Sequence, residues 1–536
     1  MKYAFGIDLG TTYSCISYVD EFGKPVVLKN SSGDHTTPSV VYVESDSNVI
    51  VGEEAKRTVE IEPDKTVQFI KRKMGKENNT VQLNGKTYTA QEISAYILKK
   101  LVDDANSELQ QTGVLKDGER INDVVITCPA YFGMNEKNAT KEAGMLAGLN
   151  VLDIINEPTA AAISYGVTGQ NRSETVLVYD LGGGTFDITV MNISRGSIRA
   201  VCTGGDEMLG GKDWDEALIQ YIQEKFEAET GEDLYDDPDA IAALYLDVET
   251  WKKSLTSREK VNISVKANGE RMRDELTRAK YEDITRNLLN RTKDLMDNIL
   301  NTSAAHGYPL SSIDKVLLVG GSSRMPQVAK MLQAEYGVTA VLQDPDEAVA
   351  KGAAIYAQDR AAYQDFVEQE SLRTGKSIEE IEQEDTSFAG GLTIENVLSC
   401  TYGIGYMDSE YNRPRISNFL KKDDTLPATV TKYFRTIQNN QPSVDIDIFE
   451  TRSSEDEMEI GDLKPLTTIE MKFKKRVPAR TRLEITLSLD NSGLLHVQAT
   501  DEYSNTELDT TFQLSQQMSK EDIAKAMTRI ENASVE

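Results

Sequence analysis

Two short segments hold the residues best suited to chemistry. DLGTT at 8–12 and DLGGGT at 180–185 each end an apolar run with an aspartate, then glycine, then threonine. Gly10 lets the backbone approach an anion closely. The amides and hydroxyls of Thr11 and Thr12 can donate to phosphate oxygens, and Asp8 can hold a hydrated cation beside them. Asp180, Gly182, Gly183, Gly184 and Thr185 offer the same groups. Mg²⁺ keeps several waters and needs few carboxylates, which suits Asp8 and Asp180. One such turn alone reads as an ordinary tight turn. Two copies, GIDLGTTYS at 6–14 and YDLGGGTFD at 179–187, read as related lobes facing each other across a phosphate site. A third glycine turn, GGSSRMP at 320–326, brings Arg324, whose guanidinium can stack on a base.

These residues need rigid elements to hold them. Short apolar runs at 123–127, 175–179 and 315–319 alternate with amphipathic stretches at 91–109 and 286–300. That alternation predicts an α/β region over residues 1–361. Residues 362–397 turn polar and acidic, as in EEIEQED at 379–385, and read as an insertion and interdomain linker. From 398 to 515 the apolar period becomes two. Val444, Ile446 and Ile448 alternate with Asp445 and Asp447, and a turn at 490–493 separates Leu489 from Leu495. This predicts an antiparallel β-sandwich. Residues 516–536 hold a last helix over 519–532, with Ser519 as its N-cap.

Composition narrows the class. The chain has 536 residues, 39% of them hydrophobic, so several cores are expected. Asp plus Glu number 87 against 58 Lys plus Arg, a formal charge of −29. Such a surface repels nucleic acid and anionic membranes overall, while leaving room for a local basic patch. The four cysteines form no CxxC pair and there are three histidines, which argues against a zinc site or a disulfide framework. A reducing, cytoplasmic setting fits, with no apolar signal core at the N-terminus and no run of 18 apolar residues.

The three glycine segments resemble the phosphate and adenosine motifs of the actin-like ATPase superfamily. GDHTTPSVV at 33–41, IKRKMG at 70–75, the segment 128–149, IINEPTAAAISYG at 154–166, GDEMLGGKDWD at 205–215 and DPDEAVAKGAA at 344–354 narrow this further. They resemble the seventy-kilodalton heat-shock (DnaK-type) chaperone family. The resemblance implies an actin-like two-lobed ATPase, followed by a β-sandwich that binds extended apolar peptides of unfolded proteins. ATP hydrolysis would switch peptide affinity.

By that resemblance Thr11, Thr12, Tyr13, Gly183, Gly184 and Thr185 contact phosphate. Lys71 orients the attacking water and Glu157 places water or metal. Asp8, Asp180 and Asp187 surround Mg²⁺ and K⁺. Gly211, Glu249, Lys252, Lys253, Thr256, Gly320, Gly321, Ser322, Arg324 and Asp346 hold the nucleoside of ATP or ADP. Ile404, Met407, Phe434, Ile437, Val444 and Ile446 line the peptide groove; alternation alone reads all six as sandwich core. J-domain cochaperones and nucleotide-exchange factors are implied partners. The sequence departs from the family at their contact sites: Asn396 stands where the linker usually has an acid, and Asp153 where a basic residue is frequent. The segments at 76–88 and 261–274 are short, and residues 516–536 supply one helix, read by the resemblance as the start of the family's helical lid. A small-molecule kinase or a filament-forming protein of the same superfamily is the alternative, but neither needs the sandwich.

Overall fold

The computed structural model describes residues 3–76, 79–116, 118–168, 173–194, 196–378, 380–381, 391–408, 413–490, 494–513 and 520–536. Two lobes share one wiring. In the first, Asn150–Asn156, Asp123–Cys128, Phe5–Asp8, Tyr13–Val19 and Pro25–Val27 lie side by side. In the second, the order is Ala340–Leu342, Lys315–Val319, Glu174–Leu181, Phe186–Ser194 and Ser197–Asp206. In each lobe a parallel pair carries the strand ending in Asp8 or Asp180, and an antiparallel neighbour follows it. The echo between 6–14 and 179–187 is thus a structural duplication, and the architecture is the actin-like ATPase fold. Helices Glu157–Thr168 and Ala348–Thr374 cross between the lobes. They approach so closely that a Cβ on Gly352 would lie 1.6 Å from the Ala160 carbonyl oxygen, so glycine is required there.

Position 361, set as the end of the ATPase region, falls inside the helix Ala348–Thr374. Within the acidic stretch beyond it, read above as an insertion and linker, Val367 and Ile381 are buried. Most of the run 379–385 lies outside the described residues.

The linker forms the strand Thr393–Glu395, which pairs in parallel with Ser197–Asp206 and becomes the sixth strand of the second lobe's sheet. Leu392 and Ile394 pack on the core between the lobes. A sandwich of a five-stranded and a four-stranded sheet follows. Its core holds Tyr402, Ile404, Phe419, Ile446, Ile448, Leu487 and Val497. It leans on the first lobe, where Met134 packs against that core and the Ser399 hydroxyl donates to the Phe132 carbonyl at 2.8 Å. The turn residues 491–493 lie outside the described residues.

The C-terminal helix, read as the start of a lid, runs from Lys520 to Asn532; Ser519 lies outside the described residues. It packs on the first lobe rather than over the sandwich. Ile523, Ala526, Met527, Ile530 and Ala533 recur every three or four residues and enter that lobe's core. Arg529 pairs with Glu92 at 3.0 Å, and its guanidinium lies 5.0 Å from the Tyr88 ring centre. Strand Ser534–Val535 then extends the sheet edge at Asn48–Val51.

Candidate nucleotide and peptide sites

Between the lobes lies a cavity of about 520 Å³. Every residue assigned above to nucleotide, metal or catalysis lines it, except Gly184 and Asp187. The lobes meet at its floor. A Cβ on Gly183 would sit 2.0 Å from Thr12 Oγ1, so only glycine admits the opposite lobe's threonine. Thr12 Oγ1 is buried without a hydrogen-bond partner. An orphaned hydroxyl in a glycine-lined cavity fits a phosphate oxygen.

Four carboxylates surround one ammonium. Lys71 is buried and pairs with Glu157. Burial pulls the Lys71 ammonium down, but Glu157 and Asp8 outweigh it and hold it above the usual range. Loss of water, and then Glu157, pushes the Asp8 carboxyl up to about 7, while Lys71 and the Thr127 hydroxyl, 3.1 Å away, pull it back. Burial, followed by Glu157, drives Asp180 and Asp187 far above the ordinary carboxylate range. Asp187 faces Asp180 across adjacent strands and accepts from the Ala130 amide at 3.1 Å. Carboxylates in this state call for a cation. Among the described residues no three such groups come close enough to wrap a bare ion. Asp8, Asp180 and Asp187 could hold a hydrated cation such as Mg²⁺ through its waters.

The nucleoside end is built from ion pairs. Lys252 bonds Asp215 at 2.7 Å and the Gly211 carbonyl at 2.9 Å. Arg324 pairs with Asp346 at 2.5 Å, and both line the cavity. At the mouth, Glu249 accepts from the Tyr13 hydroxyl at 2.8 Å and pairs with Lys56 and Lys253. Burial would raise the Glu249 carboxyl, but the two lysines bring it down to about 2.

Sequence reasoning missed three of these groups. Lys56 closes the cleft from the first lobe, but it sits in the charged helix Glu53–Arg57, which reads as a solvated face. Asp215 is one of four acids in the segment 205–215, with no local pattern to mark it. Arg72, beside Lys71, donates to the Gly184 carbonyl at 2.5 and 3.1 Å and pairs with Asp213. An arginine next to a lysine in KRKMG, closed by Gly75, was the available signal.

A model of Hsp70 protein matches residues 4–84, 77–367 and 378–536, nearly the whole chain. The chain belongs to the Hsp70 family. Hsp70 proteins are ATPases that use nucleotide and Mg²⁺, have a general chaperone role, and bind unfolded polypeptides and cochaperones. That general role holds for this Hsp70. Among its described residues no helix is long and apolar enough to cross a membrane.

The six residues assigned to the peptide groove divide. Ile404 and Ile446 are 2% and 1% exposed and belong to the sandwich core of this Hsp70. Phe434 and Val444 are half-buried against that core. Met407 and Ile437 are 46% and 62% exposed. In this conformation a peptide could touch only the last four. The two positions that depart from the family are engaged locally. Asp153 accepts from the Tyr356 hydroxyl at 2.7 Å. Asn396 gives its carbonyl to the Leu426 amide, and its side-chain oxygen is buried without a partner.

Proposed function

We propose that this chain is an ATP-dependent chaperone that hydrolyses ATP between its lobes and binds extended apolar segments of unfolded proteins on its sandwich, hydrolysis switching peptide affinity. The observation that carries it is one continuous sheet. Asp180 and Asp187 lie on its central strands, and the linker strand Thr393–Glu395 forms its edge. A change in the lobes' closure alters the strand on which the linker rests, so both sites bias the same element.

In this reading ATP and Mg²⁺, when bound, supply the scissile phosphate bond and the charge that neutralises it. Lys71, fixed by Glu157, orients the attacking water. Asp8, Asp180 and Asp187 hold the hydrated cations, Mg²⁺ and K⁺. Thr11, Thr12, Gly183, Gly184 and Thr185 receive the phosphates, and Arg324 receives the base. Met407, Phe434, Ile437 and Val444 hold the peptide. With Asn396 and Asp153 standing where the family has an acid and a basic residue, J-domain partners would meet an altered surface, and exchange factors would meet the short segments at 76–88 and 261–274. Four buried, unpaired cysteines support a reducing, cytoplasmic compartment.

ATP turnover with and without an unfolded apolar polypeptide tests the reading. Stimulated release of phosphate is expected. Phosphate transfer to a metabolite, or ATP-driven sedimentation as a filament, would replace it.

A further inference from the structure

The chain carries −29 overall, yet Lys472, Lys474, Lys475, Arg476, Arg480 and Arg482 fall within eleven residues that contain no Asp or Glu. All six are exposed. Among the described residues only Lys472 has a carboxylate within ion-pair distance, Glu470 at 3.3 Å.

The fold sets Arg480 and Arg482 of this run beside the exposed end of the sandwich, while Lys474 donates to the Asn505 carbonyl at 2.6 Å and Lys475 lies 4.4 Å from the Tyr503 ring centre. Strands Thr467–Val477 and Arg482–Leu489 belong to different sheets, and residues 478–481 cross between them. That crossing is bonded to the neighbouring one at 436–440. The Thr436 amide donates to the Thr481 carbonyl at 3.0 Å, and the Arg480 amide to the Thr436 carbonyl at 2.7 Å. The Ala479 amide donates to Asn439 at 3.0 Å. Residues 436–440 also carry Ile437, the most exposed of the groove residues.

The register adds a second observation. Arg435 lies directly opposite Arg482 on the outer face of adjacent strands. Like charges so placed are destabilising, and among the described residues neither guanidinium has a carboxylate within ion-pair distance, although Glu502 accepts from the Arg482 backbone amide at 3.1 Å. Arg482 instead covers the Tyr433 ring at 4.0 Å, and Arg435 donates to the Arg480 carbonyl at 3.2 Å. An exposed isoleucine therefore sits beside a rim of arginines whose side chains form no ion pair among the described residues.

We propose that this rim selects, among extended apolar segments, those flanked by aspartate or glutamate. The proposal rests on the peptide-binding reading above and names its substrate class. Charge complementarity fixes the occupant. A few carboxylates next to an apolar stretch meet only the rim, whereas a long polyanion would also meet a strongly acidic body.

The test is fluorescence anisotropy with three labelled peptides that share one apolar core and carry aspartate, neutral or lysine flanks. The whole chain is used, as wild type and as the variant Arg435→Thr/Arg480→Asn/Arg482→Thr. Asparagine at 480 tolerates that residue's left-handed backbone, φ 68°. Wild type should favour the aspartate-flanked peptide over the neutral one on the order of ten-fold at low salt, as two or three exposed ion pairs would give. The preference should shrink with salt, and in the variant the ratio should fall to about one. A wild-type ratio at or below one, or an unchanged ratio in the variant, overturns the proposal. Equal binding of a single-stranded oligonucleotide or an anionic vesicle would make the rim a general polyanion surface and also overturn it. If none of the three peptides binds, the peptide-binding reading itself fails, a different result from a ratio of one.

Discussion

The nucleotide cavity and the outer end of the sandwich meet the same requirement in opposite ways. The cavity buries its charges. Lys71, Glu157, Asp180 and Asp187 are all withdrawn from water, and three carboxylates are held protonation-prone until a cation arrives. The sandwich end leaves its groups in water, with Met407, Ile437, Arg435 and Arg482 all exposed. A preorganised charged site gains most from a ligand that supplies the missing charge, and so it is selective for one chemistry. An open apolar rim gains a little from many ligands. The pairing suits a device with one fuel and many clients.

The sharpest way to break the comparison is at the buried side. Lys71→Ala should retain ATP binding and lose about 2–4 kcal/mol of transition-state stabilisation, the scale of a single lost preorganised donor. Single-turnover hydrolysis measures it, and a rate within a few-fold of wild type would remove Lys71 from the chemistry.

Next comes the seam between the two regions. The Glu136 and Glu450 carboxylates each lie 3.1 Å from the point where a Cβ on Gly133 would be, one from the first lobe and one from the sandwich. Burial, and then Glu450, pushes Glu136 up to about 7, with Arg452 and Lys76 pulling back. Burial also raises Glu450, which accepts from the Tyr402 hydroxyl at 2.8 Å. The docked state thus binds protons that the undocked state releases. Docking is fully supported at low pH and weakens as pH rises from the free carboxylate range, 4.5, through about 7, by up to ~2–3 kcal/mol. Energy transfer between labels on the first lobe and the sandwich reports it, since the four native cysteines are buried. Glu136→Gln should flatten the profile, and an unchanged profile would show that this carboxylate does not govern docking.

The smallest expected effect is at the nucleoside end. Arg324→Ala should weaken ADP binding about ten-fold, the loss of one planar, stacked guanidinium, with the chemical step little changed. Lys253, an ammonium already paired to Glu249 at 2.8 Å, does not replace it. Isothermal titration with ADP decides.

What could be read from sequence follows the same division. Asp8, Asp180 and their glycine turns were legible because a strand end, a glycine and a threonine make a local pattern, and the pattern occurs twice. The clasp between Lys56 and Glu249 was not, because its partners are 193 positions apart and each sits among other charges. Alternation placed Ile404 and Ile446 on strands but could not separate core from groove, since both read as every second residue; the structure puts both in the core. The last helix was legible from its N-cap, but its apolar residues Ile523, Met527 and Ile530 would serve equally to cover a groove or a lobe. Their packing in the first lobe's core, together with the pairing of Ser534–Val535 on that lobe's sheet edge, shows which they cover.

The central claim is that nucleotide state controls peptide release through the linker strand. Its most direct test is the dissociation rate of a labelled apolar peptide from the whole chain, measured by anisotropy after adding excess unlabelled peptide, once with ADP and once with ATP. The account predicts release at least several-fold faster with ATP than with ADP, the range of a coupling of about 1–3 kcal/mol. Equal rates in the two nucleotides would contradict it.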